Sequence, residues 1–355
     1  MRFLLLLLVV TLLFNCGSEQ HKLVQHNFSE VTVETIFSDS TSIRAIEIDD
    51  SLLMFAGSNG VYGTFEIDDK LTIKNKKINT LDFEGEKIHF RAIADTETDF
   101  FILSIASPAL LYKINKENRE TKVVYKEDHE KVFYDAMTFW NNKEGIAMGD
   151  PTDGCLSIII TRDGGETWNK LSCEDLPKTG EGEAAFAASN GNIAIVGNHT
   201  WIVSGGMKSR VFYSSDKGNS WQVFETPIIQ GIETTGAYSM DFYDESNGVI
   251  FGGDYTKPEN KKRNKAVTTD GGKTWNLIAD GVGVGYKSCI RYIPNGGGKE
   301  MIALGFTGIS ISNDSGNSWK DISKESFYTL RFINDSVAVA AGKNRIAKLI
   351  FKTKK

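Results

Sequence analysis

An all-β fold is predicted for this chain by three features of its sequence. First, one octapeptide pattern, Ser/Thr-x-Asp-x-Gly-x-Ser/Thr-Trp, occurs four times. Second, each copy lies between two runs that are rich in β-branched residues, which is the sequence pattern of a β-hairpin. Third, the 355 residues include 41% hydrophobic and 24% charged residues, a globular composition that can bury a core.

The charge balance and the scarcity of ligand motifs argue against several functions. Lys and Arg total 40 against 46 Asp and Glu, whereas a nucleic-acid-binding protein needs a basic face. No glycine-rich dinucleotide fingerprint follows a strand and opens a helix. The five His are scattered along the chain, and the spacing of an acidic calcium loop is absent. We therefore expect no nucleic-acid partner, no cofactor and no bound metal.

Residues 1–15 are predicted to be an export signal. They contain one basic residue, Arg2, and an apolar run of 12 residues. This run is too short for a membrane-spanning helix, which needs about 20 residues. The stretch resembles a bacterial lipoprotein signal, with Asn15 before an acceptor Cys16, and this resemblance implies that the mature chain begins at Cys16 and carries lipid there. An ordinary signal peptide cut at another position is the alternative.

The polar, aperiodic segment after the cysteine predicts that residues 16–30 are a lipidated tether. Residues 31–355 are then one folded domain. The lipid would hold the protein on a membrane of the bacterial cell envelope, either facing the periplasm or on the cell surface.

The four octapeptides share one Asp, one Gly and one Trp, and each of these residue types has a physical role. The Asp side chain can accept hydrogen bonds from the backbone of its own turn, Gly supplies a positive φ, and Trp has the area to pack against a neighbouring sheet. These structural residues are Asp163, Gly165, Trp168, Asp216, Gly218, Trp221, Asp270, Gly272, Trp275, Asp314, Gly316 and Trp319.

The octapeptides resemble the Asp-box, or BNR, repeats of sialidases, sortilin-like receptors and photosystem II assembly-factor propellers. The resemblance implies that each box closes the hairpin between the third and fourth strands of a β-propeller blade. The segments FRAI, FYDAMTFW and GDPTDG also resemble a bacterial group of secreted BNR-repeat proteins that is often loosely labelled oxidoreductase or glycosyl hydrolase.

A weaker repeat outside the boxes predicts a seven-bladed β-propeller of four-stranded blades. Seven inner-strand segments are each followed by a second strand that ends in a small residue, at the spacing of roughly 40 to 50 residues typical of propellers. The N-terminal strand, residues 31–37, is predicted to complete the last blade beside residues 345–351. Six or eight blades are the alternatives. The inner-strand segments are residues 42–48, 89–95, 133–139, 182–189, 237–243, 286–292 and 327–333.

Cys155 and Cys173 flank the first octapeptide at equal distances from Gly164. They should therefore face each other across the two strands of this hairpin, within disulfide reach in an oxidising compartment. We predict a disulfide, with two reduced thiols as the alternative. Cys289 lies on an inner strand and is predicted to be a small core residue.

By the same resemblance, the functional face of the propeller is opposite to the Asp boxes. Arg44, Arg91 and Asp135 occupy equivalent positions in the first three inner strands of that face. The two arginines can hold a carboxylate, with Asp135 orienting them or contacting an amine or hydroxyl of the ligand. The alternative is a mutual ion-pair network that plugs the central channel.

Further residues are predicted to surround these three. Asp135 and Glu183 are the candidates for acid/base catalysis. The remaining candidate binding residues of this face are Tyr134, Asp150, Asp153, His199, Asp254, Tyr255, Lys257, Tyr286 and Lys287.

Two long connections are predicted at blades four and five, residues 197–210 and 252–264. The first contains Trp201, which either contacts a partner or packs against the domain. The second carries a basic cluster that either attracts an acidic partner or is simply solvated.

These observations favour a non-catalytic, monomeric platform that binds an envelope protein segment or a glycan on its loop face. The alternative is a glycoside hydrolase or lyase of sialidase-like architecture that uses carboxylates at the channel mouth. Sialidase chemistry needs three arginines for the substrate carboxylate, and Arg291 and Arg331 do not align with the position of Arg44.

Overall fold

The computed structural model describes residues 25–68, 70 and 72–354. The predicted export signal and the lipid-acceptor Cys16 lie outside these residues. Within them the chain forms thirty strands and one 3-10 turn, Ser58–Gly60. Strands β1 to β10 are Glu30–Asp49, Leu52–Gly57, Val61–Ile67, Ile73–Thr80, Asp82–Phe83, Glu86–Lys87, Phe90–Asp95, Asp99–Ser104, Ala109–Asn115 and Thr121–Glu127.

The middle and the C-terminal third of the chain continue the same pattern of short strands. Strands β11 to β20 are Tyr134–Phe139, Gly145–Gly149, Ser157–Thr161, Asn169–Lys170, Glu183–Ala184, Ile193–Val196, His199–Val203, Gly205–Gly206, Arg210–Ser214 and Gln222–Glu225. Strands β21 to β30 are Thr235–Phe242, Gly248–Asp254, Lys265–Thr268, Asn276–Leu277, Cys289–Tyr292, Met301–Gly305, Gly308–Ser312, Lys320–Ser323, Thr329–Phe332 and Val337–Lys352. In the described part of the chain, no helix has the length and apolarity needed to cross a membrane.

The strands form six sheets of four or more strands, which are the blades of a β-propeller. The first blade has six strands in the order β29-β30-β1-β2-β3-β4. The second is β7 to β10, the third β11 to β14, and the sixth β25 to β28. The fourth comprises β16, β17, β19 and β20, and the fifth comprises β21 to β24 with β15 and β18 attached to its inner edge.

The predicted all-β propeller is confirmed, but the predicted count of seven blades is wrong. The count is six because β1 is one continuous strand of 20 residues. Its first part pairs with β30, where Val31 lies opposite Phe351, and its last part pairs with β2, where Ile46 lies opposite Phe55. The segments that the sequence assigns to a first and a last blade therefore belong to one hydrogen-bonded sheet.

Antiparallel pairing defines two faces of the ring. Turns between the first and second and between the third and fourth strands of a blade lie on one face, the Asp-box face. Turns between the second and third strands, and connections between blades, lie on the opposite face, the loop face. The four octapeptides connect β13 to β14, β19 to β20, β23 to β24 and β27 to β28, so all of them are on the Asp-box face.

The second octapeptide shows how the Asp box is held. Asp216 Oδ1 accepts hydrogen bonds from Ser214 Oγ at 2.8 Å and from the backbone N–H of Ser220 at 2.8 Å. Gly218 has φ +81°, and a Cβ there would meet Ile160 of the third blade at 2.8 Å. The indole N–H of Trp221 donates to the carbonyl of Gly218 at 3.1 Å. The box therefore both closes its own hairpin and fits against the neighbouring blade.

The hydrophobic core lies between adjacent blades. For example, Trp319 of the sixth blade meets Phe251 of the fifth edge to face, with ring centroids 5.3 Å apart. Trp201 of the fourth blade stacks on Phe242 of the fifth, with ring centroids 3.7 Å apart. Each tryptophan joins a cluster of buried aliphatic side chains from both neighbouring sheets, and this burial drives the association of the blades.

The described residues that precede residue 31 also pack against the ring, from His26 onward. Glu300 accepts hydrogen bonds from the backbone N–H groups of His26 and Asn27 at 3.1 and 2.7 Å, and Phe28 is buried beside β30. The imidazole of His26 also bridges Glu300 and Asp335 at 2.7 and 3.1 Å. Because Glu300 and Asp335 lie in turns between first and second strands, this N-terminal segment is on the Asp-box face.

Candidate functional site

A cavity of about 530 Å³ opens on the loop face, near the axis of the propeller. Its polar side chains are two arginines, one aspartate, one serine and four tyrosine hydroxyls. Its residues come from five blades and from the connection that precedes the fourth blade. The lining residues are Arg44, Arg91, Phe133, Asp150, Ala185, Phe186, Ala187, Ala188, Tyr238, Tyr255, Tyr286, Ser288, Phe306 and Tyr328.

The two arginines lie side by side without a carboxylate partner among the described residues. Arg44 Nη1 donates a long hydrogen bond of 3.4 Å to the carbonyl of Ala188, and its guanidinium stacks on the ring of Tyr328 at 3.9 Å. Arg91 Nη1 donates to the carbonyl of Ala187 at 3.5 Å. The predicted alternative, an ion-pair network with Asp135, is not formed in the described residues.

Burial and mutual repulsion disfavour the charge on both guanidinium groups. Burial lowers the pKa of Arg44, opposed in part by Tyr328 and Tyr286. Burial, followed by the positive charge of Arg44, lowers the pKa of Arg91 to about 10. Both groups remain cationic at neutral pH, and an anion bound between them would relieve their repulsion. This pair of arginines is therefore suited to an anionic ligand.

The site contains two carboxyl groups: Asp135 next to Arg91, and Asp150 in the lining of the cavity. Asp135 is fully buried, and neither of its oxygens has a hydrogen-bond partner among the described residues. Burial, and then the charge of Asp150, raise the pKa of Asp135 well above its usual range, although Arg91 opposes the shift. Asp150 accepts a hydrogen bond from the backbone N–H of Ala185 at 2.7 Å, and burial raises its pKa to about 6. Burial therefore favours the neutral form of Asp135, and Asp150 is the carboxylate that faces the cavity.

Aromatic rings form much of the cavity wall. Phe186 and Tyr238 stack in parallel, with centroids 3.9 Å apart and planes at 6°. Tyr286 meets Tyr238 edge to face at 4.8 Å, and Phe306 packs on Tyr286 at 5.3 Å. A ligand in this cavity thus meets both cationic groups and aromatic rings, which suits an anion with an apolar body.

The wall segment, residues 183–188, connects β15 to the fourth blade and carries the carbonyls that the arginines bind. It is anchored by Glu183, whose buried carboxylate accepts hydrogen bonds from Arg210 Nε at 3.0 Å and from the backbone N–H of Gly180 at 2.8 Å. The sequence predicts an inner strand over residues 182–189, and this prediction is wrong. The inner strand of the fourth blade is β16, and only Glu183 and Ala184 of the wall segment are in a strand.

Five of the predicted binding residues line the cavity together: Arg44, Arg91, Asp150, Tyr255 and Tyr286. Asp135 lies behind them as a buried neighbour of Arg91. These residues come from positions at the start of inner strands and from loops between second and third strands, as the family resemblance implies.

Two predicted residues lie elsewhere in the fold. Tyr134 is buried between the second and third blades, and its hydroxyl donates to Glu127 at 2.7 Å. His199 begins β17 on the Asp-box face, where its Nδ1 lies 2.6 Å from the hydroxyl of Tyr213. Trp201 follows it in the same strand and is fully buried, with its indole N–H bound to the carbonyl of Gly271 at 2.8 Å.

The remaining predicted residues are on the loop face but do not line the cavity. Asp254 is buried and accepts hydrogen bonds from Thr234 and Thr256, so it holds a turn. Lys287 is buried, donates to the carbonyl of Gly308 at 3.0 Å, and has its pKa lowered to about 8 by burial. Lys257 is an exposed loop residue.

Glu183 and Asp153 lie on the side of the third and fourth blades. Glu183 lines a second, shallower cavity of about 590 Å³ that shares Asp150 with the first. Asp153 is exposed next to the disulfide, since its carbonyl lies 3.6 Å from the Sγ of Cys173. Cys155 and Cys173 are bonded, with Cα atoms 5.6 Å apart, and Cys289 is a buried free cysteine.

Sequence reasoning missed most of the aromatic lining. Phe133, Phe186, Tyr238, Phe306 and Tyr328 all face the cavity. Tyr238 and Tyr328 directly precede the residues that align with Arg44 in their blades, Ser239 and Thr329. Their position, one residue before the site aligned with Arg44, is a sequence signal that could have identified Tyr238 and Tyr328. Phe186 and Phe306 belong to connections between strands, whose course no repeat predicts.

Arg291 and Arg331 lie at the other end of the channel. Arg331 forms an ion pair with Glu47 at 2.7 Å, and both arginines line a polar cavity of about 200 Å³. The described cavity on the loop face therefore contains two arginines rather than the three of a sialidase. In the part of the chain that the structure describes, no group of three or more His, Cys, Asp or Glu side chains can hold a metal ion.

Comparisons with known proteins relate this chain to other propellers. A family model described as sortilin, neurotensin receptor 3, matches residues 156–290, which is less than half of the chain. No curated protein matches the sequence.

Solved structures are similar over nearly the whole chain. A structure described as "YCF48 bound to D1 peptide" has a TM-score of 0.64 at 13% identity and covers 94% of this chain and 100% of its own. The RRP9 WD40 repeats have a TM-score of 0.62 at 10% identity, covering 93% and 100%. U3-55K has a TM-score of 0.60 at 11% identity, covering 92% and 99%. At such identities the likeness concerns the fold, and together with the strand pairing it shows that this chain is an all-β propeller.

Proposed function

We propose that this protein is a non-catalytic binding platform that takes an anionic segment of a protein partner into the cavity on its loop face. The observation that carries the proposal is the pair of partly buried arginines, Arg44 and Arg91, which have no carboxylate partner among the described residues and share the cavity with aromatic rings. A partly buried cation without a counter-ion is costly, and a ligand carboxylate can supply two charge-assisted hydrogen bonds there. A peptide ligand is also consistent with one similar structure, which is described as YCF48 bound to a D1 peptide.

The alternative, a glycoside hydrolase or lyase, has less support. Glycoside hydrolysis usually needs two carboxyl groups on either side of the scissile bond. Asp150 is the carboxylate that lines the cavity, whereas Asp135 is fully buried and Glu183 is paired with Arg210. A pair of arginines that faces aromatic rings is better suited to recognition than to acid/base chemistry.

Binding of a small aromatic carboxylate tests the proposal. Hippurate is the probe and hippuramide, which lacks the charge, is its control, with both measured by isothermal titration calorimetry on the purified domain. Arg44→Gln and Arg91→Gln should each weaken hippurate binding roughly 10- to 150-fold, the value of one hydrogen bond to a charged group. Arg162→Gln, on the Asp-box face, is the matched control and should leave it unchanged. Equal affinities for hippurate and hippuramide would contradict the proposal.

The proposal also includes a lipid anchor on Cys16 and a location in the bacterial cell envelope. Its support is the lipoprotein-like sequence of the first residues. Mass spectrometry of the mature protein should find an acylated N-terminal cysteine, and Cys16→Ala should move the protein from the membrane fraction to the soluble fraction. A mature N-terminus at any other residue would overturn this part of the proposal.

A further inference from the structure

Exposed apolar side chains are concentrated on the loop face beside the cavity. Five large apolar residues that are exposed in the described structure lie there, in connections of the fourth, fifth and sixth blades; we call them the apolar crescent. The crescent is Met207, Ile232, Tyr255, Val282 and Phe306. The two other exposed large apolar residues of the described chain, Ile78 and Val123, are on the outermost strands β4 and β10.

Hydrogen bonds between neighbouring connections hold the crescent together. The N–H of Gly231, next to Ile232, donates to the carbonyl of Gly206, next to Met207, at 3.1 Å. The N–H of Gly281, next to Val282, donates to the carbonyl of Lys261 at 3.2 Å in the connection that carries Tyr255. The connections of Met207 and Ile232 are therefore joined to each other, and so are those of Tyr255 and Val282.

The crescent is continuous with the cavity. Tyr255 and Phe306 belong to both, since they line the cavity and are also 46% and 42% exposed. Tyr255 meets Tyr238 edge to face at 6.4 Å, and Phe306 packs on Tyr286 at 5.3 Å. A chain that leaves the arginine pair on this side passes directly over exposed apolar surface.

We propose that the apolar crescent binds the residues adjacent to the acidic group in the partner segment, and that these residues are apolar and extended. This inference rests on the proposed function, because the unpaired Arg44 and Arg91 fix the acidic end of the ligand. The inference adds a direction for the bound partner segment, which crosses the sixth, fifth and fourth blades and not the first three. It also adds a specificity, since exposed aliphatic and aromatic surface gains most from covering apolar side chains.

A flat anionic lipid surface fits the crescent less well. Exposed Glu233, Glu259 and Asp280 stand on the same connections as Ile232, Tyr255 and Val282. Exposed Lys257, Lys261 and Lys262 stand among these carboxylates, so the connections carry both signs of charge and lack the uniformly basic surface that favours anionic lipid headgroups.

The test compares two acetylated and amidated nine-residue peptides that each contain one glutamate. In one peptide the residues on both sides of the glutamate are Leu and Val, and in the other they are Ser. Fluorescence polarisation should show at least about tenfold tighter binding of the Leu/Val peptide to the native domain. The double variant Ile232→Ser, Val282→Ser should lose this preference and keep its affinity for hippurate. The matched control Ile78→Ser, Val123→Ser should keep both.

The outcomes separate the two proposals. Equal affinity of the two peptides, with hippurate still bound, would overturn the proposed role of the apolar crescent and leave the proposed binding at the cavity intact. Absence of binding by hippurate and by both peptides would overturn the proposed function and the inference with it. Binding to phosphatidylglycerol vesicles that the Ile232→Ser, Val282→Ser variant abolishes, without a peptide preference, would overturn the inference in favour of a lipid surface.

Discussion

The ion pair between Glu183 and Arg210 should be one of the most sensitive points of the cavity. Both residues are less than a tenth exposed, and Arg210 binds Glu183 through Nε and Nη2 and also donates to the carbonyl of Lys178 at 2.8 Å. The pair fastens the wall segment, whose carbonyls contact Arg44 and Arg91. Arg210→Met removes the cation and leaves the carboxylate of Glu183 buried without its counter-ion.

The size of the effect follows from burial. Breaking a buried pair by removing one partner costs about 3–5 kcal/mol of unfolding free energy. For a folded domain of this size, an unfolding entropy of about 2.1 cal/mol/K per residue turns about 4 kcal/mol into a fall in Tm of about 6 °C. The double variant Glu183→Leu, Arg210→Met removes both charges and should recover most of the loss, because an uncompensated charge no longer has to be buried.

Urea denaturation of the native domain, both single variants and the double variant gives the coupling energy of the pair. Lys122→Met is the control, because Lys122 and Glu166 form an exposed ion pair whose loss should cost less than about 1 kcal/mol. Hydrogen exchange should also show faster exchange in the wall segment of Arg210→Met. A loss in Arg210→Met no larger than that in the control would refute the reasoning.

Three further predictions concern pH and the disulfide. Burial raises the pKa of Asp150 to about 6, so this residue loses its negative charge below that pH and no longer repels an anionic ligand. Hippurate binding measured by calorimetry should therefore strengthen from pH 8 to pH 5, and Asp150→Asn should abolish this change. A constant hippurate affinity in the native protein would contradict the prediction. Replacing Cys155 and Cys173 by Ser should lower the unfolding free energy by about 3 kcal/mol. Peptide mapping of the native protein without reductant should recover the two cysteines as a linked pair, and two free thiols would contradict the structure. Burial opposes the charged form of His26, but hydrogen bonds and attraction from Glu300 and Asp335 outweigh this effect and raise its pKa. Protonated His26 therefore stabilises the folded state at a pH below the ordinary pKa of His, and this stabilisation is lost as the pH rises through the pKa of His26 in the folded protein. Hydrogen exchange of residues 25–29, corrected for its intrinsic pH dependence, should therefore speed up from pH 6 to pH 9, and the same corrected rate at both values would count against this account.

Local chemistry explains what the sequence could predict. The Asp-box residues act within eight positions of one another, so their hairpins follow from turn chemistry alone. The position of Arg44 and Arg91 follows from a repeat of similar inner strands, and the facing of Cys155 and Cys173 follows from the symmetry of a single hairpin. In each case the information lies in residues that are close along the chain or repeated at a fixed interval.

The errors arise where the course of the backbone depends on distant contacts. Residues 38–41 are Ser, Asp, Ser and Thr, which favour a turn, but the structure continues β1 through them. The wall segment has the small and apolar residues of an inner strand, but its position depends on Arg210 and Asp150, which are remote in sequence. The predicted place of His199 on the loop face assumes that residues 182–189 form the inner strand of the fourth blade. Because this strand does not form there, His199 lies on the Asp-box face instead.

The N-terminal segment that Glu300 and Asp335 hold determines the orientation of the whole molecule. Because this segment meets the ring on the Asp-box face, the chain enters the described domain on the side opposite to the cavity. An anchor at Cys16 would therefore present the arginine pair to molecules that arrive from beyond the anchoring surface. A partner embedded in that same surface would have to reach around the rim of the ring, which favours partners with long flexible segments.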